Sequence, residues 1–183
     1  MNKLHPLIKK VVFPQEVIEA KILELAKWVN ETYKDSKDLV LVGLLKGSIP
    51  FLAQLIKNIN VDHSLDFMTT SSYQGATLSS GSVKIIMDLA QDIKNKDILI
   101  VEDIIDSGIT LSKIKNLLLT RKPNSLRILT LMDKPSGRKV ELVADKFGLI
   151  APDEFLVGFG LDYNEKLRNL PYIGVFDEEK IKD

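Results

Sequence analysis

The chain has no cysteine in its 183 residues, which excludes disulfides and thiolate metal sites and fits a reducing interior. It also lacks an excess of either charge. Lys plus Arg and Asp plus Glu are 25 each, so no net positive field gathers DNA or another polyanion. The basic pairs Lys9-Lys10, Arg121-Lys122 and Arg138-Lys139 are scattered and read as solvated surface. No apolar signal core opens the chain and no apolar run approaches membrane-spanning length. These absences point to a cytoplasmic protein without nucleic-acid or membrane partners. The two histidines, His5 and His63, match no catalytic pattern.

What remains is a length suited to one sizeable core, so a single domain over 1–183 is expected. Apolar residues from Val17 to Val29 recur at helical spacing behind Pro14, which predicts a helix over 14–33. The run 38–45 predicts a strand, 50–59 a helix, and 65–70 a second strand. The stretch 71–82 (SSYQGATLSSGS) has no periodicity and reads as a mobile loop. Strand character returns at 83–87, and 93–97 is a polar turn. A helix over 108–119 and strands at 126–132 and 146–150 complete an alternation typical of a mostly parallel α/β sheet. Beyond Pro152 short strands and turns suggest a flap.

The most informative stretch is Ile98 to Thr110, ILIVEDIIDSGIT. Four consecutive aliphatic residues suit a strand covered on both faces, so Glu102 and Asp103 are expected to emerge where that strand ends. Ligands bind at that edge in open α/β sheets. In Asp106-Ser107-Gly108-Ile109-Thr110 the glycine permits a tight turn whose following amides can hold phosphate, with hydroxyls from Ser107 and Thr110. Three acids beside a phosphate would repel it unless a divalent cation or ribose hydroxyls intervene, and a sugar phosphate supplies the hydroxyls. The plainer interpretation makes Asp106 a helix cap and the acid pair a solvated strand end. A P-loop is disfavoured, because Gly43 to Ser48 (GLLKGS) has lysine before glycine and the wrong spacing.

VEDIIDSG closely resembles the phosphoribosyl-pyrophosphate (PRPP) motif of the type I phosphoribosyltransferases, and its Glu-Asp form resembles the hypoxanthine-guanine branch. Leu45-Lys46-Gly47, Ser71-Ser72-Tyr73, Leu131 to Pro135 (LMDKP) and Pro152 to Val175 agree in order. The resemblance spans about 36–176. It implies a twisted, mostly parallel sheet flanked by helices, with a core at about 36–150 and a hood from about 1–13 and 151–183. It further implies purine salvage: transfer of 5-phosphoribosyl from PRPP to N9 of hypoxanthine or guanine, giving IMP or GMP and pyrophosphate.

The same resemblance implies the roles of single residues. Glu102 and Asp103 take the ribose hydroxyls and Mg²⁺, and residues Asp106, Ser107, Gly108, Ile109 and Thr110 take the 5′-phosphate, with Asp106 also the general base at N7. Lys134 donates to the purine 6-oxo group, Phe155 stacks on the base, and Leu156 and Asp162 supply backbone contacts. The Asp162 carboxylate serves a second Mg²⁺, directly or through water. Lys46, Gly47 and Arg168 hold pyrophosphate, in a loop where relatives have a non-proline cis peptide. Ser72 and Tyr73 belong to a lid, so deleting 74–79 should spare folding and cripple transfer. Relatives usually assemble as homo-oligomers, dimers or tetramers. Ser107 stands where threonine is commoner, and Ile109 is an unusual side chain in that turn. Two other functions compete: a PRPP-binding regulator of the same fold and a xanthine-preferring relative.

Overall fold

The computed structural model describes residues 4–72 and 83–181. Strands β2 (Leu39–Leu45), β3 (His63–Ser72), β4 (Val83–Met87), β5 (Asp97–Ile105), β6 (Ser125–Asp133) and β7 (Lys146–Ile150) form one sheet in the order β4-β3-β2-β5-β6-β7. Every neighbouring pair is parallel except β3 with β4. Both faces of the central strands are buried, which is why they read as continuous apolar runs. On one face Leu39, Leu41, Leu99, Val101, Leu129 and Leu131 pack against helices α1 (Gln15–Thr32) and α2 (Ile49–Ile56). On the other, Val40, Val42, Ile98, Ile100 and Ile128 pack against α3 (Ile109–Thr120).

That distribution positions the site. The chain leaves β2 through α2 to reach β3 on one side, whereas β5 lies on the other side and leaves through α3 on the opposite face. The carboxyl ends of β2 and β5 therefore border a topological switch point, where an open α/β sheet has a crevice.

The terminal segments meet in a three-stranded antiparallel sheet of β1 (Ile8–Phe13), β9 (Ile173–Phe176) and β8 (Leu156–Val157). Sequence periodicity misses β1. Its six residues, IKKVVF, carry two lysines and a burial pattern without clean alternation, and its strand conformation depends on β9, more than 160 residues away. A second correction concerns the acid pair. Glu102 and Asp103 lie within β5, because pairing with β6 continues through Ile104–Met132 and Ile105–Asp133. Asp103 is consequently only 8% exposed. No helix among the described residues is long and apolar enough to cross a membrane.

Candidate active site

Three loops converge on the switch point. The first follows β2, where the Leu45–Lys46 peptide is cis. Gly47 then passes so close to β5 that a Cβ there would overlap Asp103 Oδ2. Only glycine allows this backbone to touch the carboxylate.

The second loop is 106–110. Gly108 precedes α3 with φ 75° and ψ −4°, a left-handed conformation that glycine adopts without steric cost. The first helical bond runs from Ser112 N–H to Gly108 O at 2.9 Å, so the preceding amides stand at the open helix end. The Ile109 amide lies 3.4 Å from Ser107 Oγ. Asp106 makes no side-chain cap bond, which removes the plain capping role, and it is exposed beside the cavity. Ile109 and Thr110 are half-buried in the first turn.

Arg138 holds this loop in place. Its guanidinium donates to Asp106 O at 3.1 Å and Ile105 O at 3.3 Å, and it also binds Leu142 O and the Asp133 carboxylate. The Lys139 amide adds a bond to Ser107 O at 3.0 Å. Expected on a solvated face, Arg138 is largely buried instead. Its acceptors are carbonyls that only the folded chain brings together, so local sequence gives no signal for it.

The third wall comes from 152–168. A cavity of about 210 Å³ is bounded by Asp103, Ile104 and Asp106 on one side, Lys134 above, and Glu154 to Leu156, Leu161, Asp162 and Arg168 on the other. Lys134 is anchored by its amide bond to Ile105 O, at 2.9 Å. Its Nζ donates to Glu154 O at 3.2 Å and lies 3.5 Å from Asp153. Phe155 is 46% exposed and edge-on to Tyr163 and Phe176, so one ring face is available to a flat ligand. Leu156 is buried in β8. Tyr163 stacks on Phe176 at 4.2 Å, a structural role.

Arg168 Nη1 donates to Gly160 O at 2.7 Å and Nη2 pairs with Asp162 Oδ1 at 2.9 Å. Glu165, which sequence reasoning passed over, reaches both Lys46 Nζ at 2.9 Å and Arg168 Nη2 at 3.3 Å. Those cations hold its carboxyl below the usual range.

Around the cavity the structure brings together Asp103, Asp106, Lys134, Phe155, Leu156, Asp162 and Arg168; Gly47 abuts Asp103, Lys46 reaches Arg168 through Glu165, and Glu102 and 107–110 adjoin them on β5 and the turn before α3. Ser72 ends β3. Tyr73 and the segment 74–79 lie outside the described residues.

Electrostatics mark the acid pair as unusual. Burial, then repulsion from Asp103, pushes Glu102 well above the ordinary carboxylate range. Asp103 is pushed up to about 6, chiefly by burial, against partial relief from backbone amides and Arg168. Glu102 Oε2 is buried with no hydrogen-bond partner. Two buried carboxylates, one orphaned, fit a hard divalent cation that takes oxygen ligands. Among the described residues no group of three or more His, Cys, Asp or Glu side chains converges as a metal cage.

A crevice of this composition, at this point of this sheet, has close counterparts. The phosphoribosyl transferase domain family matches residues 12–164. The hypoxanthine phosphoribosyltransferase of Escherichia coli K12 is 52% identical over 166 residues, 90% of this chain and 93% of that one. The hypoxanthine-guanine phosphoribosyltransferase of Bacillus subtilis is 52% identical over 168 residues, covering 92% and 93% of the two chains. A crystal structure of the Staphylococcus aureus hypoxanthine phosphoribosyltransferase superposes with a TM-score of 0.93 at 48% identity, over the whole of both chains. Likeness of this order across almost the full length shows the type I phosphoribosyltransferase fold, and the chain belongs to the phosphoribosyl transferase domain family.

Proposed function

We propose that this enzyme salvages purines by transferring 5-phosphoribosyl from PRPP to N9 of hypoxanthine or guanine, releasing pyrophosphate with IMP or GMP. The observation that carries this reading is the cavity in which Asp103, Asp106, Lys134, Phe155 and Arg168 share one crevice beside the Gly108 turn. Each wall answers one part of the reactants. Amides of 106–110 and the hydroxyls of Ser107 and Thr110 meet the 5′-phosphate. Glu102 and Asp103 accept the ribose hydroxyls. Lys46, the Gly47 backbone and Arg168 face pyrophosphate, which a guanidinium can bind bidentately.

The base lies on Phe155 with its 6-oxo group toward Lys134, whose ammonium only donates. Adenine would present an amino group there, setting donor against donor where a 6-oxo group accepts. Backbone groups of Leu156 and Asp162 border the ring. Asp106 sits at the base edge of the phosphate loop and takes or shares the N7 proton as N9 bonds to C1′. Mg²⁺ at Glu102 and Asp103, with a second ion near Asp162, would neutralise these carboxylates and the pyrophosphate oxygens. The orphaned Glu102 Oε2 and the raised Asp103 support that placement. Ser72 and Tyr73 we assign to a lid, which would keep water from the reacting centre.

An exposed groove of about 340 Å³ lined by Leu45, Ile49, Leu52, Ala53, Ile56, Leu65 and Phe67 supports assembly as a dimer or tetramer. Light scattering at micromolar concentration tests that assignment, and a monomeric mass refutes it. Incubation with PRPP, Mg²⁺ and hypoxanthine tests the chemistry: IMP and pyrophosphate should accumulate in equal amounts. PRPP binding without turnover would favour a regulator of the same fold.

A further inference from the structure

Glu165 stands where the leaving group is expected. Its carboxylate spans Lys46 and Arg168, at 2.9 and 3.3 Å, and so joins the loop after β2 to the hood across 119 residues of sequence. This placement is built. Asn164 and Glu165 have φ of 48° and 64°, a left-handed conformation unfavourable for side-chain-bearing residues. Reciprocal backbone bonds between Tyr163 and Lys166, at 3.1 and 3.0 Å, close the turn. The Glu165 amide donates to Asp162 Oδ2 at 2.9 Å, while Asp162 Oδ1 grips Arg168.

Stability does not account for this arrangement. Glu165 and Lys46 are each about 60% exposed, and exposed ion pairs contribute little to folding. What the contact does is bridge Lys46 to Arg168, which the Asp162 carboxylate also holds. A carboxylate offers them two anionic oxygens, as one end of a pyrophosphate would.

We propose that Glu165 is a resident stand-in for pyrophosphate, holding Lys46 and Arg168 in the ligand-free protein and yielding them when pyrophosphate binds. The inference rests on the assignment of those two cations to pyrophosphate. Because the carboxylate competes for the cations, it weakens affinity for the free product. PRPP meets the same competition and the same penalty, but its phosphate and ribose contacts keep it bound, whereas free pyrophosphate lacks them and its departure is favoured.

Calorimetric titration of pyrophosphate with Mg²⁺ into the full-length wild type, Glu165→Gln and Glu165→Asp tests this. Glu165→Gln should bind roughly three- to tenfold tighter at low ionic strength, with a matching fall in the concentration that inhibits transfer, and the gap should shrink with salt. Glu165→Asp, charged but too short to span both cations, should fall between. Glu31→Gln, which removes an exposed acid on α1, should leave the affinity unchanged. Equal or weaker binding by Glu165→Gln, in a protein that melts like the wild type, overturns the stand-in. Failure of the wild type itself to bind pyrophosphate overturns the assignment beneath it.

Discussion

Replacing Asp103 with asparagine should make the metal-free protein more stable, by an amount that depends on pH. Asp103 is 8% exposed and its carboxyl is pushed up to about 6 from 3.8. Between those values the folded state binds the proton that the unfolded state releases, so stability falls as pH rises from about 4 to 6 and is level above. The shift of roughly two units, at 1.36 kcal/mol each, gives about 3 kcal/mol against the ionised form. Asparagine keeps an oxygen for the Ile104 amide, which now donates to Asp103 Oδ1 at 2.7 Å, and removes the buried charge. Relief of repulsion on Glu102 acts in the same direction.

Chelator-treated protein melted at pH 8 should therefore gain up to about 3 kcal/mol from Asp103→Asn, roughly 6–12 °C for a domain of this size. At pH 4 the two proteins should melt together. Mg²⁺ with PRPP should stabilise the wild type and leave the variant nearly unmoved. Equal stability at pH 8, or a gain of the same size at both pH values, would refute the reasoning, because the cost would then not reside in ionised Asp103.

Three other substitutions probe separate walls of the crevice. Asp106→Asn should lower kcat by about 10²- to 10⁴-fold while KM for PRPP stays within about threefold, and a change confined to KM would remove the general base. Gly47→Ala drives a methyl into the Asp103 carboxylate and should cost about 10²-fold in kcat/KM with the fold retained by circular dichroism. Arg138→Met frees the Ile105 and Asp106 carbonyls, so KM for PRPP should rise about tenfold; an unchanged value would show that the turn holds its shape alone.

The central strands were legible because each buries both faces, which turns a parallel sheet into short aliphatic runs such as ILIV at 98–101. The turn at Gly108 was equally readable, since its conformation is a local property. What escaped depends on distant chain. The strand conformation of β1 is borrowed from β9, and β5 continues past its apolar run because β6 continues beside it. Arg138 looked like one more surface cation, because its carbonyl acceptors carry no side-chain signature. Glu165 was passed over for a related reason: its cations lie on two segments that only the hood and the sheet edge bring together. Elements marked by local side-chain pattern are thus legible in the sequence, and contacts that depend on tertiary placement are not.

The central claim is that this crevice transfers ribose phosphate onto a purine whose 6-oxo group faces Lys134. The most direct measurement is the specificity constant for hypoxanthine, guanine, xanthine and adenine at saturating PRPP and Mg²⁺, in the wild type and in Lys134→Gln. The account expects hypoxanthine and guanine to lead adenine by about 10⁴-fold, and Lys134→Gln to lose about 10- to 100-fold on the 6-oxopurines. Adenine used as well as hypoxanthine, or a Lys134→Gln profile like that of the wild type, would contradict it.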